Sequence, residues 1–151
     1  MTGEPTTTEP VRVAVTVPRT PEEAFRLYTE GITEWWPLET HSVFERDATE
    51  AVFEGRKGGR IYEVHADGRE SEWGRVLAWE PPSRVVCSWQ PNPDRSGETE
   101  VEVRFIEVEG GTRVELEHRG WERLGDDAAA VRSDYVGGWV LVLGAYEHAA
   151  G

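Results

Sequence analysis

Strict alternation of apolar and polar residues marks most of this chain, and a long uncharged run marks its end. Val11, Val13, Val15 and Val17 alternate with Arg12, Ala14 and Thr16, which predicts a half-buried strand closed by Pro18. Thr20-Pro21-Glu22-Glu23 then supplies a capping threonine, a first-turn proline and early carboxylates. A helix follows with Ala24, Phe25, Leu27 and Tyr28 on its buried side, and Gly31 breaks it. A short second helix carries Ile32, Trp35 and Trp36 up to Pro37, and residues 38–47 read as a loop containing His41 and Phe44. Six strands are predicted next, over residues 48–54, 60–65, 71–79, 84–90, 100–108 and 113–119. The turns between them are Lys57-Gly58-Gly59, Asp67-Gly68, Pro81-Pro82, residues 91–97 and Glu109-Gly110-Gly111. Links this short predict antiparallel neighbours in sequence order.

Residues 126–149 close the chain. Asp126 and Asp127 meet the positive end of a helix dipole, and the stretch from Tyr135 to Tyr146 carries no charge. At helical spacing Tyr135, Gly138, Trp139, Val142, Leu143 and Tyr146 share one stripe, which predicts a long helix lying across the sheet. Strands followed by a segregated helix indicate an α+β fold, a curved seven-stranded antiparallel sheet covered on one face. Residues 1–10 have nothing to bury and read as a disordered tail ahead of one domain over 11–150.

Three strands have a definite phase. Val85, Cys87 and Trp89, then Val101, Val103 and Phe105, then Val114, Leu116 and His118 should face the helix. Strand 60–65 sets Tyr62 and Val64 against Ile61, Glu63 and His65, while strand 71–79 sets Trp73, Leu77 and Trp79 against Gly74, Val76 and Ala78. Both faces of each carry apolar groups, so direction stays open, and a bulge near Gly74 would reconcile them.

Charge narrows the partners. A formal charge of −13 over 151 residues repels phosphate backbones and anionic bilayers, which argues against nucleic acid and the membrane surface. No apolar run reaches spanning length and the first residues do not form a signal peptide. The single cysteine, Cys87, fits a reducing cytoplasm. Seven tryptophans among 38% hydrophobic residues suit either ordinary packing or an aromatic-lined cavity.

Candidate chemistry is sparse. The phase of its strand puts His118 on the covered side, either as a satisfied core histidine bonded to a carbonyl or Tyr135, or as an acid/base group. Glu63 is either a buried carboxylate or a partner of Arg60 or Arg75. No cluster has metal-ligand spacing, no serine sits in an elbow motif, and neither glycine pair opens a helix onto a phosphate, so neither metal nor other cofactor is expected. The residues expected around a ligand are Trp35, Trp36, Phe44, Tyr62, Trp73, Trp89, Phe105, His118, Tyr135, Trp139 and Val142. Gly137, Val140, Leu141 and Gly144 lie on the opposite side of the terminal helix, as a homodimer contact or as a seat for the first two helices.

The order of elements, with Glu34-Trp35-Trp36-Pro37, Gly58-Gly59-Arg60, Tyr62-Glu63, Trp73-Gly74, Ser88-Trp89, Glu117-His118 and Gly138-Trp139, resembles the START/SRPBCC superfamily over residues 11–146. Within it the chain resembles the branch of heat-shock-protein-90 ATPase activators. This implies the helix-grip fold, a sheet wrapped around the terminal helix over a cavity for apolar molecules. Trp35-Trp36-Pro37, Glu117-His118-Arg119 and the spacing from Arg132 to Gly138-Trp139 also resemble the calicheamicin self-sacrifice resistance family. Proteins of that family bind an enediyne and are cleaved by it. The loop 91–97 differs here, so only the ligand class carries over.

These readings converge on a binding protein for an apolar small molecule, polycyclic or enediyne-like, serving antibiotic self-resistance or biosynthesis. The alternatives are a cyclase or dehydratase of the same fold using His118, Glu63 and Tyr135, or a chaperone-interacting module.

Overall fold

The computed structural model describes residues 8–90 and 98–151. The expectations for the loop 91–97 and for most of the tail lie outside those residues. Seven strands, β1 (Val11–Val17), β2 (Ala48–Phe53), β3 (Arg60–His65), β4 (Glu70–Glu80), β5 (Arg84–Trp89), β6 (Thr99–Val108) and β7 (Gly111–Arg119), form one antiparallel sheet. Their order is β1-β7-β6-β5-β4-β3-β2. Sequential strands from β2 to β7 are neighbours because their links are short, whereas β1 crosses the molecule to pair with β7.

Helix α1 (Pro21–Tyr28) starts where its capping chemistry sits. Thr20 Oγ1 accepts from the Glu23 amide at 3.2 Å and the Glu23 carboxylate accepts from the Thr20 amide at 3.2 Å. Helix α2 (Ile32–Trp35) ends at Trp36. The terminal helix α3 (Ala128–Ala150) begins two residues later than its acidic start suggests, because a 3-10 segment, Trp121–Asp127, precedes it. Asp127 makes no side-chain cap bond.

The core lies between the concave face of the sheet and α3. The helix stripe expected from spacing is the buried one at Trp139, Val142, Leu143 and Tyr146, with Tyr135 half-buried at its edge. Tyr146 donates its hydroxyl to the Ala24 carbonyl at 2.7 Å, fastening α3 to α1. The three phased strands face as expected, with Val85, Cys87, Trp89, Val101, Val103, Phe105, Val114, Leu116 and His118 all buried.

The two undecided strands are resolved by bulges. In β3, Ile61 and Glu63 point inward, and Tyr62 lies on the outer face beneath the Arg60 guanidinium, 4.2 Å from its ring centre. In β4, pairing with β3 slips between Ile61 and Tyr62, and pairing with β5 slips between Val76 and Ala78. One residue is therefore inserted at Trp73 and another at Leu77. The double insertion converts a period of two into a spacing of three, so Trp73, Val76 and Trp79 all reach the concave side. Leu77 is left outside, 42% exposed. A bulge near Gly74 was legible in the sequence; the second at Leu77 was not.

Candidate aromatic site

Two aromatic groups occupy the space between sheet and helix. One, beneath α1, gathers Phe25, Tyr28, Trp35, Phe53, Trp79, Phe105 and Tyr146, with centroid separations such as 5.0 Å for Phe25–Trp79 and 5.1 Å for Trp35–Tyr146. The other gathers Trp36, Trp73, Trp89 and Trp139. Trp36 lies 4.9 Å from Trp73 and 5.8 Å from Trp139, and Trp89 lies 5.7 Å from Trp73 and 5.4 Å from Trp139. These four indoles touch one another in tilted and edge-on arrangements, the geometry ring quadrupoles favour. Trp36 and Trp89 each keep 7% of their surface accessible, whereas Trp73 and Trp139 keep 1–2%. Trp36 and Trp89 are therefore the least buried of the four.

A polar relay backs this cluster. The Trp139 indole can only donate, and its Nε1 lies 2.8 Å from His118 Nδ1. Nδ1 is thus an acceptor, and the His118 proton sits on Nε2, which donates to Thr99 Oγ1 at 2.7 Å. Thr99 Oγ1 in turn donates a hydrogen bond to the Trp89 carbonyl at 2.9 Å. Every donor and acceptor in the chain Trp139–His118–Thr99–Trp89 is assigned. Burial disfavours the imidazolium and pushes His118 down to about 3. Trp121 stacks on the imidazole at 4.1 Å and donates its Nε1 to the His118 carbonyl at 3.0 Å. His118 is a neutral structural pivot at physiological pH, and the general acid/base role considered for it has no free nitrogen to work with.

Glu63 has no surface exposure and bonds neither Arg60 nor Arg75. Those arginines pair with Glu70 and Glu72 on the outer face. Glu63 instead accepts three N–H groups, from Val43 at 2.6 Å, Phe44 at 2.9 Å and Trp73 Nε1 at 2.6 Å. It therefore pins the loop after α2 onto the indole cluster. Trp36 Nε1 donates to the His41 carbonyl at 2.8 Å from the same loop. Just beyond the pin, Glu45 adopts φ +49, a left-handed conformation that costs a non-glycine residue. Glu63→Ala should leave the buried Trp73 indole N–H and two part-buried amides without their acceptor and cost about 2–3 kcal/mol. Denaturant unfolding reads the loss, and hydrogen exchange should speed at Val43 and Phe44; unchanged exchange there would sink the assignment.

The expected ligand residues thus divide. Trp36, Trp73, Trp89, Trp139, His118 and Tyr135 come together; Tyr135 accepts from Trp89 Nε1 at 3.2 Å and its ring lies 4.8 Å from His118. Trp35 and Phe105 belong to the second cluster, and Val142 is buried on α3. Tyr62 faces outward, and Phe44 packs edge-on against His65 at 5.0 Å with Arg69 above it. Thr99 and Trp121 were missed. Thr99 is in phase with Val101 and Val103, a signal that was present; Trp121 depends on the left-handed turn at Gly120, which no periodicity reveals.

The outer face has different chemistry. A groove of about 340 Å³ over β1, β6 and β7 is lined by Arg12, Arg104 and Arg113 interleaved with Glu115 and Glu117. Its paired charges suit no apolar ligand. Among the described residues no group of His, Cys, Asp or Glu could hold a metal ion, and no helix is long and apolar enough to cross a membrane. Burial raises Cys87 far above the ordinary thiol range, so it is unreactive.

A family model described as activator of Hsp90 ATPase homolog 1-like protein matches residues 18–145. The anthrahydroquino-γ-pyrone synthase Txn09 is 36% identical over 85% of this chain and 88% of its own, with a TM-score of 0.58. CalU16 from Micromonospora echinospora is 21% identical over 91% of this chain and 71% of its own, TM-score 0.61. DynU16, from the dynemicin biosynthetic locus, is 18% identical over 93% of this chain and 46% of its own, TM-score 0.67. No curated protein sequence matches.

Proposed function

The chain belongs to the activator of Hsp90 ATPase homolog 1-like family, and on that premise we propose that it binds a flat polycyclic aromatic natural product between α3 and the sheet. The observation that carries this reading is the cluster of four indoles, Trp36, Trp73, Trp89 and Trp139, with the least buried pair at its rim. A planar ligand entering beside Trp36 and Trp89 exchanges indole–indole contacts for ligand–indole contacts, so the rings act as walls that part around it. Within this class an enediyne-like polycycle is one candidate, supported by the fold shared with DynU16.

Intrinsic tryptophan fluorescence titrated with anthraquinone, and with a saturated fatty acid for contrast, tests the reading. Saturable 1:1 quenching by anthraquinone is expected, with about tenfold weaker binding in Trp36→Ala, the loss of roughly one ring contact. Equal response to the fatty acid, or none to either, would remove it.

A second reading, ring closure on such a polycycle, is favoured by the 36% identity to the synthase Txn09. Both His118 nitrogens and the Glu63 carboxylate are already engaged, so such an enzyme would work by orienting the substrate and excluding water. Tyr135, half-buried at the rim, is then the residue placed to exchange a proton with substrate. Product formation lost in Tyr135→Phe with binding retained would select this reading.

A further inference from the structure

Three glycines in the middle of α3, Gly137, Gly138 and Gly144, have open space where a Cβ would stand, and two of them share one exposed face. Gly137 and Gly144 lie on the solvent side of the helix, and a Cβ added at either would meet nothing within 4 Å. Neither has a positive φ. Each weakens a helix relative to alanine, and nothing inside the protein requires it.

The residues between them are the most exposed large apolar side chains described, Val140 at 58% and Leu141 at 52%, with Val136 at 41% beside them. This face of α3 is uncharged in a chain that carries −13 overall. Helices α1 and α2 do not cover it, so packing on the first two helices, one of the two expectations for it, is not what the fold does.

The spacing is a palindrome: Gly137, two residues, Val140-Leu141, two residues, Gly144. We propose that this face docks a second copy of the chain, with the two α3 helices antiparallel about a two-fold axis between Val140 and Leu141. The rotation sets Gly137 against Gly144 of the second copy and Gly144 against its Gly137. Val140 then meets its own image, and so does Leu141, the self-complementary match an isologous contact needs. The missing side chains let the helices approach towards the short end of the usual range of about 8–10 Å. At the margins Asp134 comes beside His148 of the second copy, on the same side of the helix pair, so a carboxylate faces an imidazole rather than another carboxylate. Two bodies of charge −13 repel elsewhere, which leaves the neutral strip as the contact that opposes them least.

One helix face is at the small end of specific interfaces, so the dimer is a weak one, with a dissociation constant on the order of micromolar to tens of micromolar. Sedimentation velocity of the full chain across about 1–300 μM should show a reversible monomer–dimer shift in that window. Leu141→Glu places two like charges at the dyad and should weaken the dimer at least about tenfold, with circular dichroism and melting of the monomer unchanged. Val140→Cys should give a cross-linked dimer on mild oxidation, because the native Cys87 is buried and inert. A monomer throughout, or a dimer that Leu141→Glu leaves intact, overturns the proposal. So would a heterologous protein that occupies the strip more tightly than a second copy does.

Discussion

Gly74→Ala is expected to cost about 4 kcal/mol or more, placing it among the rare substitutions that threaten folding outright. The physical cause is the first bulge in β4. Inserting Trp73 turns the backbone at Gly74 face-on to β5, and an added Cβ would stand 1.8 Å from the Ser88 carbonyl oxygen and 2.7 Å from its carbon. Both are main-chain atoms, so no rotamer change relieves the clash. β4 would have to move away from β5 by more than an ångström, breaking the bonds from the Gln90 amide to the Trp73 carbonyl at 2.7 Å and from the Arg75 amide to Ser88 Oγ at 2.9 Å. The same shift draws Trp73 from Glu63 and loosens the indole cluster. Melting temperature should fall by roughly 10 °C or more, and the near-ultraviolet dichroism of the tryptophans should diminish with it. Gly138→Ala is the control: its Cβ meets nothing within 4 Å, so it should be neutral or stabilise by up to about 1 kcal/mol. A Gly74→Ala protein within about 1 kcal/mol of the parent would show that the bulge does not exist as described.

Acid should destabilise the protein well before its carboxylates protonate. His118 is neutral when folded down to about pH 3, while in the unfolded chain it takes a proton near the ordinary value of 6.5. The unfolded state therefore binds more protons as pH drops, and stability falls. The contribution is fully present above pH 6.5 and is lost progressively below it, with a slope approaching 1.4 kcal/mol per pH unit.

A second loss begins lower, at Glu102 on the outer face. Burial alone would raise its pKa, but hydrogen bonds from Arg119, Arg84 and Arg104 outweigh it and hold the carboxyl at about 2. Its stabilisation is present above the ordinary value of 4.5 and disappears as pH falls towards 2. The two are separable by window. His118→Gln should be less stable at neutral pH, yet its stability should be nearly flat between pH 6.5 and 4.5, where the parent declines. In NMR the His118 ring signals should not titrate above pH 4. Titration near 6.5 in the folded protein would contradict the tautomer assigned from Trp139.

Much of this molecule follows from local chemistry. The capping box at Thr20 and Glu23, the alternation in β1, β5, β6 and β7 and the glycine-rich turns each act over a few residues, so each could be read without knowing its neighbours in space. The buried stripe of α3 is of the same kind, because helical period and burial coincide there. From these the α+β class, the antiparallel order of β2 to β7 and the covering helix were all accessible. The inward position of His118 was accessible too, but its role was not: that depends on an indole arriving from 21 residues away to fix its tautomer.

What only the tertiary structure decided is everything that requires two distant segments to agree. Glu63 read either as a buried carboxylate or as the partner of Arg60 or Arg75; it is the buried carboxylate, held by three N–H donors, two of them main-chain groups in a loop 19 and 20 residues earlier. Tyr62 looked like a pocket wall until the β4 insertions set the phase of β3 and left its ring outside. The aromatic side chains announced by composition were placed by packing, which set four indoles from the end of α2, β4, β5 and α3 in contact with one another. Short-range pattern dictates which way a side chain can point; the company it keeps there is settled only when the sheet bends around the helix.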